Sequence, residues 1–439
     1  MKGKNMQSVS QFIIYRNLLK EDLFMKFTWL IEHYKDKEYS QQEKVNTFFV
    51  CIHQLLEISK SHGLEGNIWH AYVTFLLAND ENAFSLACEK RGDITSSLRQ
   101  AALLDFKILK EFYLFPITAL YDEFHLEQNT ILTDYVSDNK DSRLFNKRIK
   151  ERILDTCRNL ENADDENGFL QVITLFYKDF GVGKLGLHKA FRIVHTKDDS
   201  VYIAPITKIA HVKLDDLIGY ETAKTKLLEN TKAFVSGRQA NNCLLFGAAG
   251  TGKSTCIKAI ANQFYEDGLR IIEVYKHQFQ DLHAVISEVK DRNYKFILYM
   301  DDLSFEEFEI EYKYLKAVIE GGLEEKPQNV LIYATSNRRH LVREKFSDRE
   351  ENEDDKHGND TVAEKLSLVA RFGEKIYFGS PSPKEFKEIV IELARKNQIA
   401  METEELLLQA NRWELSHGGL SGRTAQQFIN HLLGKKEDQ

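Results

Sequence analysis

Apolar residues recur at helical spacing through residues 1–190, and a single proline, Pro116, occurs before Pro205. Val45, Phe48, Phe49, Ile52, Leu55 and Leu56 fall on one helical face, as do Ile149, Ile153, Cys157 and Leu160. Each stripe predicts a helix that buries this face in a core. A mostly α-helical N-terminal domain is therefore expected over residues 1–190, and it carries no catalytic signature. The period then changes. Residues 191–196 and 200–206 are short β-prone runs around Lys197-Asp198-Asp199, which predicts a hairpin inside a linker, 191–213. Beyond it, β-prone runs at 243–246, 270–275, 295–300, 330–334 and 375–378 alternate with helical ones. Such alternation predicts an α/β core over 214–380, a parallel five-stranded sheet between helices. From Ser382 the spacing is helical again, predicting a small helical lid over 381–439. Residues 347–360, SDREENEDDKHGND, hold seven acids and two bases with no large apolar side chain. They cannot pack a core and predict a solvated or disordered insert, or alternatively an interaction tail.

At 439 residues the chain has room for two or three domains. No apolar run reaches the ~18–20 residues that span a bilayer. The opening MKGKNMQSVSQFIIYRNLLK has only a short apolar patch, so a cytoplasmic protein without a secretory signal is expected. The cysteines Cys51, Cys88, Cys157, Cys243 and Cys256 are odd in number and scattered, which argues against a disulfide framework and a structural zinc site. They are expected to be reduced and mostly buried. A net charge of −8 disfavours a protein that coats nucleic acid but leaves room for a local basic patch.

The strongest chemical signal is Gly247-Ala248-Ala249-Gly250-Thr251-Gly252-Lys253-Ser254, followed by Thr255. It fits G-x-x-x-x-G-K-[ST] and lies between an apolar run and a helical one. Gly247, Gly250 and Gly252 let the backbone N–H groups of the loop, Thr251 included, converge on phosphate, and the helix start adds a favourable dipole. Lys253 then serves the β- and γ-phosphates of ATP, and the Ser254 hydroxyl ligates Mg²⁺. A second glycine cluster, Gly181-Val182-Gly183-Lys184, lacks this spacing and reads as a turn.

The run Phe296-Ile297-Leu298-Tyr299-Met300-Asp301-Asp302 is an apolar strand ending in two acids. Asp301 suits the Mg²⁺ shell, and Asp302 suits orientation and deprotonation of an attacking water. Glu306, Glu307, Glu309 and Glu311 read as charge at a helix start, with Glu306 and Glu307 as reserve bases. The strand at 330–334 runs into Thr335-Ser336-Asn337, and Asn337 is chosen to position the water because its amide both donates and accepts. Arg338 and Arg339 read equally as phosphate or neighbour contacts and as a solvated helix start.

Taken together these motifs resemble the AAA+ ATPases. In that resemblance Ser367-Leu368-Val369-Ala370-Arg371-Phe372-Gly373 implies an arginine finger at Arg371, reaching the nucleotide of an adjacent subunit. Gly419-Leu420-Ser421-Gly422-Arg423 implies a sensor 2 helix with Arg423 on the phosphates. Asp216-Leu217-Ile218-Gly219-Tyr220 implies the stretch that packs on adenine, with Ile218 against the base. The segments from Asp301 to Glu344 and from Glu364 to Gly373 are similar to a bacterial group of AAA+ ATP-binding proteins classed as a domain of unknown function. Aspartate is the usual second acid in that group, so Asp302 is a group trait. The aromatic–apolar–Gly loop of protein-threading members is missing; only Tyr275 or Phe279 stands where it would be.

The resemblance implies an ATP-hydrolysing homo-oligomer that remodels or regulates a protein partner, recruited by the N-terminal half. An ATP-dependent binding switch with slow turnover is the second reading, and a nucleic-acid-associated loader, disfavoured by the overall acidity, the third. A P-loop kinase has no place for Asn337, Arg371 and Arg423.

Overall fold

The computed structural model describes residues 7–92, 94–95, 97–137, 147–305, 311–320, 326–337 and 368–436. The acidic insert 347–360, Glu306, Glu307, Glu309, Arg338, Arg339 and Ser367 lie outside them. The chain divides into two compact units, Met1–His188 and Lys189–Gln439.

The first unit is helical, with longer helices at Gln41–His62, Ser97–Tyr113, Lys147–Glu161 and Glu166–Phe180. In Gln41–His62, Ser40 caps the start by accepting the Glu43 N–H at 3.1 Å, and Gly63 ends the helix at φ +71°. Phe48, Cys51 and Leu55 on its inner face are fully buried, whereas Phe49 is 52% exposed. Phe49 is thus a correction: it stands about 100° around the helix from Phe48, off the edge of the stripe. Ile149, Ile153, Cys157 and Leu160 are all buried. Trp69 stacks on Phe24 and Phe27 with ring centroids 6.0 and 4.3 Å away, and its indole N–H donates to the Phe112 carbonyl at 3.0 Å. All five cysteines are buried and none is in a disulfide. Gly181 closes the helix Glu166–Phe180, but Gly183 and Lys184 already open the short helix Gly183–Leu187, which corrects the reading of the second glycine cluster as a turn.

A buried acid ties the N-terminal segment to this core. Asp105, 1% exposed, accepts the backbone N–H groups of Ile13, Ile14 and Tyr15 at 2.8, 2.7 and 3.0 Å.

Among the described residues the second unit holds seven strands: β1 Ala190–His195, β2 Val201–Pro205, β3 Cys243–Gly247, β4 Leu269–Glu273, β5 Lys295–Met300, β6 Val330–Ser336 and β7 Glu374–Phe378. Their order is β2-β1-β4-β5-β6-β3-β7. The five predicted strands form the parallel set β4-β5-β6-β3-β7. The expected parallel five-stranded core is present, and the hairpin expected in a linker adds two strands to its edge. Ala190–Arg192 pair in parallel with Ile271–Glu273, and β2 follows antiparallel. The pairing buries Phe191, Ile193 and Ile203, apolar area that a free linker would leave in water. Strands β5 and β6 are buried almost end to end, as a parallel sheet covered on both faces requires.

Three helices form the lid: Pro383–Lys396, Thr403–Ser416 and Gly422–Lys436. Ser382 and Glu385 close a capping box at the first, with Pro383 in its first turn. Phe386, Val390, Ala410, Ala425 and Ile429 make the lid's own core, and Ile218 packs against it. Among the described residues no helix is long and apolar enough to cross a membrane.

Replacing Asp105 by Ala strips three backbone donors of their acceptor. It is expected to cost roughly 3 kcal/mol and to lower the melting transition of the first unit, while Asp105→Asn costs less. Thermal unfolding of the full chain followed by circular dichroism checks this.

Candidate functional site

The order of the sheet brings the carboxyl ends of β3, β5 and β6 side by side, with the lid above them. Open parallel sheets bind ligands at such ends. After β3 the chain turns through residues 248–252 into the helix Lys253–Gln263. Two glycines are required, Gly247 by a backbone that leaves no room and Gly252 by its left-handed φ. A Cβ on Gly247, at φ +137°, would lie 2.0 Å from the Phe378 carbonyl oxygen, and one on Gly252, at φ +91°, 2.3 Å from Leu217 Cδ1.

Lys253 is only 6% exposed. Its ammonium donates to the carbonyls of Gly247 and Ala248 at 3.2 and 2.6 Å and to Asn337 Oδ1 at 3.0 Å. Burial holds it below the usual lysine range, against the opposing pull of Asp302 and Asp301 and with Arg423 adding to the depression. The Asn337 amide donates in turn to Asp302 Oδ1 at 2.7 Å, so lysine, asparagine and the second acid form one chain of bonds.

Asp301 faces a different set. Its Oδ1 accepts from Ser254 Oγ at 2.7 Å, from the Tyr299 hydroxyl at 2.7 Å and from Thr335 Oγ1 at 2.5 Å. Desolvation works to raise this carboxyl, but the hydroxyls of Thr335, Tyr299 and Ser254 outweigh it and hold Asp301 below the usual carboxylate range.

These groups line a cavity of about 620 Å³. Ala249, Gly250, Thr251, Gly252, Lys253, Ser254 and Thr255 make its floor, Asp301, Asp302, Thr335 and Asn337 one wall, and Arg423 the lid side. Its apolar part is Leu217, Ile218, Tyr220, Ile389 and Leu393. The Arg423 N–H donates to the Gly250 carbonyl at 3.0 Å, joining lid to loop. A polar end with two cations and a helix start, next to an apolar end, fits a nucleoside triphosphate. Ser254 and ionised Asp301 are hard oxygen donors at bonding distance from each other, which fits Mg²⁺ held with phosphate oxygens. Among the described residues no group of three or more His, Cys, Asp or Glu side chains could hold a metal alone.

Of the residues singled out in the sequence, Gly247 sits just below the cavity as the end of β3. Arg371 is not brought into it. It lies just before β7, 47% exposed, paired with Glu320 at 2.9 Å. Of the two residues that stand where a threading loop would be, Phe279 is 1% exposed and packs on Phe305, whereas Tyr275 is 46% exposed. Thr335 and Tyr299 were missed. Each lies two residues before a chosen residue, Asn337 and Asp301, and so shares its strand face, the signal that could have found them.

Residues 187–436, more than half of the chain, match the family described as "Protein of unknown function (DUF815)". The chain belongs to the DUF815 family. Within it, the chain is an AAA+ P-loop ATP-binding protein. This DUF815 member is 30% identical over 121 residues to the chaperone protein ClpB of Rickettsia conorii, covering 23% of this chain and 14% of that protein. It is 35% identical over 91 residues to the replication factor C small subunit of Haloarcula marismortui, covering 20% and 25%. The chain thus spans a quarter or less of the length of these curated relatives. Among solved structures, the RuvB Holliday junction branch migration motor of Thermotoga maritima is similar over 50% of this chain and 63% of its own, at 19% identity and a TM-score of 0.35. A likeness of that size adds nothing to the strand order already described.

Gly247→Ala is expected to force β3 and β7 apart, at a cost of about 3 kcal/mol or more, and to abolish ATP binding. Melting temperature and binding of a fluorescent ATP analogue check the two halves of this prediction.

Proposed function

We propose that the Lys189–Gln439 unit of this DUF815 protein binds ATP with Mg²⁺ and hydrolyses it as a homo-oligomer, to remodel or regulate a protein partner engaged by the helical first unit. The observation that carries the reading is the convergence of Lys253, Ser254, Asp301, Asp302, Asn337 and Arg423 on one cavity, while Arg371 stays outside it.

Lys253 and Arg423 bind and orient the β- and γ-phosphates from the floor and the lid. Ile218 with Leu217, Ile389 and Leu393 takes the base. Asp302, steered by Asn337, receives the proton of the attacking water as the new oxygen–phosphorus bond forms and the bond to ADP breaks. Ser254 and Asp301 would hold Mg²⁺, which supplies charge neutralisation on the phosphate oxygens when bound. Arg371, exposed and beyond reach of its own cavity, serves the nucleotide of a neighbouring copy. An oligomer is what such an arrangement needs.

One observation favours the slower binding switch as a second reading. Asp302 already gives one of its acceptor sites to Asn337, which leaves fewer for an attacking water.

Steady-state ATP turnover across protein concentrations separates the readings. The oligomeric ATPase gives a specific activity that rises with concentration and needs Mg²⁺. Lys253→Ala abolishes ATP binding; Asp302→Asn keeps binding but loses about 10²- to 10⁴-fold in turnover; Arg371→Ala loses about 10³-fold or more. Tight ATP binding with negligible turnover in the wild type supports the switch instead, and no binding at all refutes both.

A further inference from the structure

The two acids after β5 are neighbours in sequence but serve different partners, Ser254 and Asn337. Successive residues of a strand point to opposite faces, so both reach one cleft only if the backbone turns between them. It turns at Asp302, whose φ of +50° lies in the left-handed region that side chains larger than glycine avoid.

One hydroxyl supports that turn from both sides. Strands β5 and β6 pair with Met300 opposite Ala334, which sets Thr335 beside the acids. Thr335 Oγ1 accepts the Asp302 N–H at 2.9 Å and donates its single proton to Asp301 Oδ1 at 2.5 Å. Its carbonyl accepts the Leu303 N–H at 2.7 Å, closing the turn on the far side. Thr335 is 2% exposed, and Tyr299, the second donor to the same carboxylate oxygen, is 5% exposed. Neither has a role in the P-loop, and Ser254, the third donor, is the one assigned above to the cation.

We propose that Thr335, seconded by Tyr299, is the positioning residue that divides the acid pair, orienting Asp301 toward the cation site and Asp302 toward Asn337. This rests on the reading of the cavity as an Mg²⁺–ATP site. Without the Thr335 hydroxyl, Asp301 loses a donor and the Asp302 N–H loses its acceptor, so both acids drift together. Without the Tyr299 hydroxyl only Asp301 is affected.

The test uses the full chain and two readouts, nucleotide affinity measured in EDTA and then titrated with Mg²⁺, and turnover. Thr335→Val, which keeps the shape, leaves affinity in EDTA within about twofold of wild type but raises the Mg²⁺ needed for half-maximal effect by about 10- to 100-fold, and turnover falls. Thr335→Ser restores both. Tyr299→Phe shifts the Mg²⁺ dependence alone, which keeps the idea testable if Thr335→Val does not fold. Wild-type Mg²⁺ dependence in Thr335→Val, or in Tyr299→Phe, overturns the proposal. So does an equal loss of affinity in EDTA that serine fails to rescue, since that marks a merely structural hydroxyl. A wild type whose nucleotide binding ignores Mg²⁺ refutes the underlying reading itself, and is seen before any variant is made.

Discussion

Strand β6 pairs in register with β5 on one side and β3 on the other, and the cleft depends on this double pairing. Tyr333 lies opposite both Tyr299 and Cys243, and Thr335 lies opposite Leu245. The register is pinned at its start by Asn242, whose side-chain oxygen accepts the Ile332 N–H at 2.9 Å. A slip by one residue would turn Thr335 and Asn337 to the other face of the sheet. Asp301 would then lose a donor, Asp302 its amide partner, and Lys253 the only side-chain acceptor among its three contacts.

Charge in the cleft is arranged in opposed pairs. Lys253 and Arg423 face Asp301 and Asp302, and the lysine is pressed toward its neutral form by burial while the two acids support its charge. Its three donors are taken by two carbonyls of its own loop and by Asn337. A phosphate that binds Lys253 therefore competes with Asn337, and Asn337 is the residue that also holds Asp302. The two bonds use opposite ends of the amide, its oxygen for the lysine and its nitrogen for the acid, so an anion at Lys253 bears on Asp302 only through the orientation of Asn337.

Much of this was legible in the chain itself, and the parts that were not share a cause. The P-loop was legible because its chemistry is contiguous: a glycine-rich turn, a lysine and a hydroxyl within eight residues. The five parallel strands were legible because burial on both faces makes them unbroken apolar runs. The hairpin was visible as a hairpin, but its place beside β4 was not, since Phe191 and Ile272 are brought together only by the crossover between them. Thr335 and Tyr299 escaped notice because a hydroxyl's role depends on which strand lies next to it. Phe49 misled in the simplest way, as an apolar residue at the margin of a stripe that the core does not reach.

The hydrogen bond from the Arg423 N–H to the Gly250 carbonyl makes the loop and the lid a single joint. The helix that begins there, Gly422–Lys436, has 15 residues. At 1.5 Å per residue it extends about 22 Å, so a rotation of about 5° at the loop carries its far end by about 2 Å. A tightening of the loop too small to alter any bond in the cleft is thereby magnified, as by a lever, into a displacement of about 2 Å at the far end of the lid's last helix.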